Sequence, residues 1–481
     1  MPSLRQQMLT GLFWSAIEKY SGIVVSLIVS MVLARLIAPK DFGVIAIAMV
    51  IVQFLQMFCT IGIGPAIIQR KDLEKEDLDS IYTFSLLLGF LFSILFFFCA
   101  KPISVFYDEP QLVIVCQILT VMLFFAAANM VPNALMARDR RFKQIAKRTL
   151  LFQISSSIIS IYVAYCGGGV YALLISPIIT VVGIFIYNRH YYHLSILWKI
   201  KIEPLKRIFF YSFYQFLFEF INYFSRNLDK LIIGRSISAT SLGYYEKSYR
   251  LMQMPMASLT SVINPVLQPV LSALQDETQT MALKYNQIIR FVATISFPLG
   301  ITLSLCGNEI ITILYGNQWE NSIKTFSILC LSVPLQLLLS TTGSIYQACN
   351  ATKELFFVGI VNTIITVLGF IVAVYVWGTI ESVAFAWTIT SVSNFVISYY
   401  VLYKRVMNSS LLKMYRELLL PFINLGLVLV MLYCFSFITF DSKILSLLLK
   451  LAFSGILSAV FVQLSGQYDL RPLLKSFKSK I

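Results

Sequence analysis

A stripe of polar side chains runs through an apolar segment near the middle of the 481-residue chain. Its members follow one another at steps of four, three, four and three residues: Gln215, Glu219, Asn222, Arg226 and Asp229. That spacing places them on one face of a helix. Because ionisable groups are costly in hydrocarbon, such a face is expected to point away from lipid, toward a polar interior.

The equivalent positions 200 residues earlier in the chain carry mostly small or polar residues. The counterparts of the stripe are Ser15, Lys19, Gly22, Ser26 and Val29. Beyond the stripe, identical residues recur at the same offset: Arg35 and Arg235, Ile37 and Ile237, Gly43 and Gly243, Gln53 and Gln253, Ile63 and Ile263, Pro65 and Pro265. Duplicated membrane halves are typical of transporters whose two lobes move about a central site.

Lys19 and Glu219 are equivalent positions with opposite charges. Each is expected to lie roughly ten residues inside its helix, or about 15 Å deep at 1.5 Å per residue. One interpretation is that the two side chains pair across a central cavity when its cytoplasmic side is closed. The alternative is that each pairs locally or extends its charge to the interface.

A second group is basic and is expected in the outer half of the membrane. Its members are Arg226, Lys230, Lys247 and Arg250. Guanidinium and ammonium groups at this depth could hold a diphosphate, since arginine offers paired donors to phosphate oxygens. Asp229 and Glu246 offset two of these charges, so the alternative is an ion-paired rim in which Asp229 pairs with Arg226 and Glu246 with Arg250.

These patterns assign candidate roles without any metal or cofactor. The candidate substrate-binding residues are Lys19, Asn222, Arg226, Lys230, Lys247 and Arg250. The candidate gating or ion-coupling acids are Glu18, Glu219 and Asp229, with a proton or sodium ion as the coupled species. No catalytic residue is predicted, because Walker, G-x-S-x-G and H-E-x-x-H signatures are absent from the sequence.

The elements that must position these residues are transmembrane helices. Hydrophobic residues make up 58% of the chain and charged residues 13%, at a mean hydropathy of +0.78. Apolar runs of roughly 20 residues recur, which predicts an all-α integral membrane protein. We expect about fourteen helices, at 10–37, 42–68, 80–100, 111–136, 145–166, 170–188, 208–234, 242–271, 287–306, 322–348, 355–377, 380–403, 416–438 and 443–464. The first run is too long for a cleaved signal peptide.

The net charge of +15 does not indicate nucleic acid. The basic residues cluster in alternate loops, which predicts that those loops and both termini are cytoplasmic and face anionic lipid. A basic linker near residue 200 separates the repeats. The predicted domains are therefore an N-terminal lobe at 1–200, a C-terminal lobe at 201–410, and two further helices with a basic tail at 411–481.

Two polar runs, at Asn129–Asn133 and at Gln336, Thr341 and Thr342, fit either a cavity lining or hydrogen bonds between helices.

Several motifs resemble one transporter family. They include Leu33-Ala-Arg35-Leu-Ile-Ala-Pro39-Lys-Asp41-Phe42-Gly43, Asn227-Leu-Asp229, Ile233-Gly234-Arg235, Leu242-Gly243-Tyr244 and Leu314-Tyr315-Gly316 with Trp319. Over about residues 1–410 the chain is similar to the polysaccharide-transporter branch of the multidrug/oligosaccharidyl-lipid/polysaccharide exporter superfamily, which contains the Wzx-type flippases and teichuronic-acid exporters.

The resemblance implies two pseudo-symmetric six-helix lobes plus two C-terminal helices. It implies a flippase of the bacterial inner membrane that moves an undecaprenyl-diphosphate-linked oligosaccharide by alternating access, for O-antigen, capsule or exopolysaccharide assembly. Implied partners are the lipid-linked oligosaccharide, membrane lipids, and a polymerase and glycosyltransferases. The family's cavity-lining charges would fall on Lys19, Glu219, Arg226, Asp229 and Arg250.

Three other functions remain open from the residues alone. A multidrug antiporter of the same superfamily would favour an acidic cavity over the basic group found here. A membrane-embedded polysaccharide-assembly enzyme would normally carry a large outer loop, and the predicted outer loops are short. A non-transporting scaffold would not need charges in mid-membrane.

Overall fold

A computed structural model describes residues 4–60, 63–70, 72–197, 201, 203, 216, 220, 223–224, 226–272, 275, 277–435, 437–438, 440 and 442–466. Among these residues regular structure is helical throughout, without strands. The chain divides into two compact units, Met1–Glu246 and Lys247–Ile481. The predicted lobe boundary near residue 200 stays a prediction.

The first unit is built from helices that differ in length and pack on one another. They are α1 (Leu4–Leu36), α2 (Pro39–Thr60), α3 (Ile63–Gln69), α4 (Lys75–Tyr107), α5 (Gln111–Arg138), α6 (Phe142–Tyr165), α7 (Val170–Tyr191) and α8 (residues 226–236). Helix α5 packs on α2, α4 and α7, and α6 packs on α1 and α7. The core of this unit is therefore lined mainly by α2, α4, α5 and α7.

Local chemistry sets several of these helix ends. Helix α2 begins at Pro39, where the missing N–H and fixed φ of proline fit the first turn. The Asp77 carboxylate in the first turn of α4 accepts a hydrogen bond from the Glu74 N–H at 3.4 Å. Helix α4 ends at Tyr107 because Asp108 adopts a left-handed conformation, with φ of 54°.

The second unit starts within α9 (Ala239–Ser272), which carries the boundary between the units. Its remaining helices are α10 (Thr278–Leu305), α11 (Gly307–Tyr315), α12 (Asn321–Cys330), α13 (Val333–Ala348), α14 (Thr352–Trp377), α15 (Ile380–Val401), α16 (Leu411–Phe435) and α17 (Lys443–Leu464). Helix α10 packs on α13 and α16, and α14 packs on α15.

Two breaks depart from straight helices in the second unit. The predicted helix at 322–348 is split into α12 and α13, which are bent by 48°. Pro334 occupies the first turn of α13 and cannot continue the hydrogen bonds of α12. A π-helical turn, Leu402–Val406, extends α15.

Ten described helices are long and apolar enough to cross a membrane, or eleven if α12 and α13 form one span. Helices α6 and α9 are long but are not among these apolar spans, because charged and hydroxyl side chains interrupt them. The chain is thus an all-α multi-pass membrane protein, and the predicted number of fourteen spans stays a prediction.

The two prolines at equivalent positions of the repeat, Pro65 and Pro265, lie in different backbone settings. Helix α2 ends at Thr60, and Pro65 lies in the first turn of α3. The backbone of α9 instead remains helical past position 265 to Ser272.

Two glycines of the repeat meet in the first unit. A Cβ atom added to Gly43 would lie 1.6 Å from the Ala239 carbonyl oxygen, and one added to Gly243 would lie 2.0 Å from the Pro39 carbonyl oxygen. Each position is offset by 200 from its counterpart, so the contact is reciprocal. The beginnings of α2 and α9 can approach this closely only because neither glycine has a side chain.

Candidate functional site

The predicted stripe is only partly described by the structure. Glu219 and Asn222 lie outside the described residues, so the predicted pairing of Lys19 with Glu219 stays a prediction. On α1, Lys19 is exposed and Glu18 is partly buried. The arginines Arg226 on α8 and Arg250 on α9 are both exposed.

Asp229 is the fully buried acid of this region. Its Oδ2 accepts a hydrogen bond from the Tyr245 hydroxyl at 2.7 Å, and its Oδ1 accepts one from the Lys230 N–H at 2.8 Å. A carboxylate with 0% exposure needs such donors, since an unpaired buried charge is strongly unfavourable. Asp229 therefore joins α8 to the first turns of α9.

Lys230 and Glu246 form a second link between the same helices. The Lys230 Nζ lies 3.0 Å from Glu246 Oε2, with side-chain exposures of 12% and 8%. Sequence spacing had suggested pairs of Asp229 with Arg226 and of Glu246 with Arg250. Those two pairs stay predictions. The structure shows contacts of both acids between α8 and α9, because helix packing brings residues sixteen positions apart into contact.

Lys247 is the first residue of the second unit and is buried against aromatic rings. Its Nζ lies 5.0 Å from the ring centre of Tyr315 and 5.7 Å from that of Trp319. Its side chain is almost fully buried, with an exposure of 5%. A cation over two ring faces is stabilised by their quadrupoles.

Sequence reasoning missed a buried arginine in the first unit. Arg148 on α6 is 4% exposed, and its Nη2 donates to Asn133 Oδ1 at 2.8 Å. Its Nε and Nη1 have no hydrogen-bond partner among the described residues. The Glu18 carboxylate acts on this guanidinium electrostatically. Arg148 lies in a basic stretch of sequence that is typical of an exposed loop, so the sequence did not indicate that it is buried.

The asparagines beside Arg148 bond between helices. Asn188 Nδ2 donates to Asn129 Oδ1 at 2.9 Å and to Asn133 Oδ1 at 3.0 Å, and Asn129 Nδ2 donates to the Val181 carbonyl at 2.8 Å. Of the two interpretations of Asn129 and Asn133, the structure supports the hydrogen bonds between helices. Thr341 likewise bonds to Tyr285 of α10, with 2.8 Å between the hydroxyls.

A second polar cluster, in the second unit, was also not predicted from the sequence. Glu309 of α11 forms an ion pair with Lys450 of α17 and accepts a hydrogen bond from the Ser446 hydroxyl at 3.0 Å. The two residues are far apart in sequence, which conceals the pair. It attaches the last described helix to the rest of its unit.

Comparison with known proteins identifies the family of this chain. The family described as "Polysaccharide biosynthesis protein" matches residues 32–324, which is more than half of the chain. The chain belongs to this family. The matched range of the polysaccharide biosynthesis family includes Arg226, Asp229, Lys230, Lys247 and Arg250, whereas Glu18 and Lys19 precede it.

Individual relatives cover nearly the whole chain. The teichuronic acid biosynthesis protein TuaB of Bacillus subtilis is 22% identical over 427 residues, covering 88% of each chain. The lipopolysaccharide biosynthesis protein WzxC of Escherichia coli is 23% identical over 425 residues, covering 87% of this chain and 86% of its own. The resemblance drawn from the motifs is confirmed.

Solved structures identify the fold. The lipid II flippase MurJ in an inward closed conformation matches with a TM-score of 0.75 at 15% identity, covering 96% of this chain and all of its own. An inward-facing multidrug transporter of the MOP superfamily matches with a TM-score of 0.60 at 16% identity, covering 83% and 98%. The chain has the fold of this transporter superfamily.

Proposed function

We propose that the protein is a flippase of the bacterial cytoplasmic membrane. Its substrate would be an oligosaccharide linked to undecaprenyl diphosphate, moved from the inner to the outer leaflet by alternating access. The observation that carries this proposal is membership of the polysaccharide biosynthesis family, together with relatives named for teichuronic acid and lipopolysaccharide synthesis. The likeness to a lipid II flippase supports the same class of cargo.

Physical chemistry explains why such a lipid needs a carrier. A sugar chain with a diphosphate cannot enter hydrocarbon without losing its hydration, whereas its prenyl tail belongs there. A carrier must therefore shield the head while the tail stays in lipid. The exposed guanidinium groups of Arg226 and Arg250 suit the diphosphate, because they can donate paired hydrogen bonds.

The remaining candidates have distinct proposed roles. Lys19, with Asn222, would contact the sugar head or its phosphates. Lys230 and Lys247 are engaged by Glu246 and by aromatic rings, so they would add positive potential. Glu18, Glu219 or Asp229 would take up the coupled proton or sodium ion. Both termini would be cytoplasmic, and a polymerase and glycosyltransferases would act beside this protein.

The test is transport by a double variant. Arg226→Ala with Arg250→Ala should lower surface polysaccharide by about two to four orders of magnitude, because two charge-assisted contacts of about 1.5–3 kcal/mol each are lost. Surface polysaccharide is measured by immunoblot, and protein level is measured in membranes. Arg416→Ala, an exposed arginine on α16, is the matched control. Normal export in the double variant would contradict diphosphate anchoring by these residues.

A second candidate function is drug export, favoured by the likeness to a multidrug transporter. In that case the Arg226 and Arg250 variant should leave polysaccharide unchanged and alter resistance to cationic compounds. Measuring both in the same strain separates the two functions.

A further inference from the structure

A groove of about 390 Å³ lies between two neighbouring helices of the second unit, away from the residues discussed so far. One wall is the beginning of α14, and the other is the end of α15 with its π-helical turn. The lining residues are Lys353, Glu354, Phe357, Val358, Val361, Ile397, Val401 and Arg405.

One end of the groove is positively charged. Lys353 and Arg405 are both exposed there, with Glu354 beside them, so the net charge of the end is +1. Within the described part of the chain, neither cation takes part in an ion pair. Two basic groups from different helices are therefore available to one anion.

The rest of the groove is apolar. Phe357 and Val361 line it from α14, and Ile397 and Val401 line it from α15. Lys353 and Val361 are eight residues apart on one helix, so the lining runs for about 12 Å from the charged end. Phe357 is 56% exposed and Val361 is 43% exposed, which leaves this wall open to an apolar chain.

We propose that this groove binds a phospholipid of net negative charge. The lipid phosphate lies between Lys353 and Arg405, and the upper part of an acyl chain lies along Phe357, Val361 and Ile397. A net charge of +1 complements a headgroup of charge −1 better than a zwitterionic one. A free anion would use only the charged end and would leave the apolar wall uncovered.

The charged end of the groove also lies on the side of the membrane where an inner-leaflet lipid would have its phosphate. Lys353 and Arg405 lie at helix ends that the distribution of basic residues predicts to be cytoplasmic. An inner-leaflet lipid has its phosphate at that level and its chain pointing toward the membrane centre. The order of charged and apolar residues along the groove is the same.

The experiment uses the full-length protein, purified and reconstituted in nanodiscs of zwitterionic lipid with increasing phosphatidylglycerol. Lipid bound after extraction is counted by native mass spectrometry. Lys353→Gln with Arg405→Gln should weaken the tightest phosphatidylglycerol site about thirtyfold, since each basic residue near a membrane surface contributes about a factor of five. Lys404→Gln with Lys413→Gln removes the same charge outside the groove and should leave that site unchanged.

Two further arms identify the ligand. Phe357→Ala should weaken phosphatidylglycerol binding, and inorganic phosphate at equal concentration should not compete. Equal losses in both double variants, equal binding of phosphatidylcholine, or displacement by inorganic phosphate would overturn the proposal. Melting temperatures measured without phosphatidylglycerol confirm that each variant is folded. Because the readout is lipid binding, the result is separate from whether polysaccharide is transported.

Discussion

At the scale of residues, the buried charged side chains of α8 and α9 in the first unit are stabilised in two different ways. Asp229 is satisfied by hydroxyl and amide donors, whereas Lys230 and Glu246 satisfy each other as ions. Removing one member of a buried ion pair is costly, because the remaining charge loses its partner in a poorly hydrated site. Replacing both members costs much less.

Lys230→Met is therefore expected to destabilise the protein by about 3–5 kcal/mol. In the Glu246→Leu background the same substitution should cost much less, because no charge is left unpaired. Thermal unfolding in detergent of the four proteins of the cycle measures the coupling. An equal cost of Lys230→Met in both backgrounds would show that the ion pair does not contribute.

Arg148 presents the opposite situation, since two of its donors are buried without partners in the described residues. Each unsatisfied donor costs about 1–3 kcal/mol. Arg148→Met keeps an unbranched apolar stem without the buried donors and is expected to leave the melting temperature equal or higher. A fall of several degrees would instead assign Arg148 a structural role with Asn133.

At the scale of elements, the close approach of α2 and α9 depends on the absence of side chains at two glycines. The first turns of α2 and α9 meet at Gly43 and Gly243, where an added Cβ would overlap a carbonyl oxygen of the other helix. Backbone atoms cannot move aside as a flexible side chain can. The two helix ends must therefore separate if either position gains a methyl group.

Gly43→Ala is expected to destabilise the fold by about 1–3 kcal/mol, since the overpacked contact can relax only by backbone shifts. Gly343→Ala is the matched control: a Cβ added there meets no atom within 4 Å, and alanine in a helix interior is favourable by about 0.5–1 kcal/mol. Unfolding of both variants in detergent measures the difference. Equal stabilities would contradict the close approach.

The elements were largely predictable from the sequence, and their partners were not. Apolar runs gave the helices near Gln111–Arg138 and Lys443–Leu464 to within a few residues. They did not give the 48° bend before Val333, because hydropathy does not record a missing backbone donor; the available signal was Pro334. Pairs such as Lys230 with Glu246 depend on packing between helices, which periodicity along one helix does not contain.

At the scale of the whole molecule, the direction of the chain across the membrane follows from its basic loops. The exposed cysteines Cys166 and Cys434 lie at helix ends that are predicted to be outside. Residue 408, in the connection between α15 and α16, is predicted to be inside. This arrangement can be tested by chemical labelling from one side only.

A membrane-impermeant maleimide is expected to label the protein in intact spheroplasts, and Cys166→Ser with Cys434→Ser should abolish that labelling. Asn408→Cys in the same background should react only after the membrane is permeabilised. Gel shift with a large maleimide measures the extent of reaction. Labelling of Asn408→Cys in intact spheroplasts would reverse the predicted orientation.

The reciprocal glycine contact also bears on the ancestry of the chain. Position 43 meets Ala239 and position 243 meets Pro39, so both halves of the contact use the same pair of sites within the repeat. In a half-length ancestor that assembled as a twofold dimer, one glycine codon would have supplied both contacts. In the present chain the two codons can change independently, yet neither position can acquire a side chain without pushing away a backbone carbonyl of the other helix.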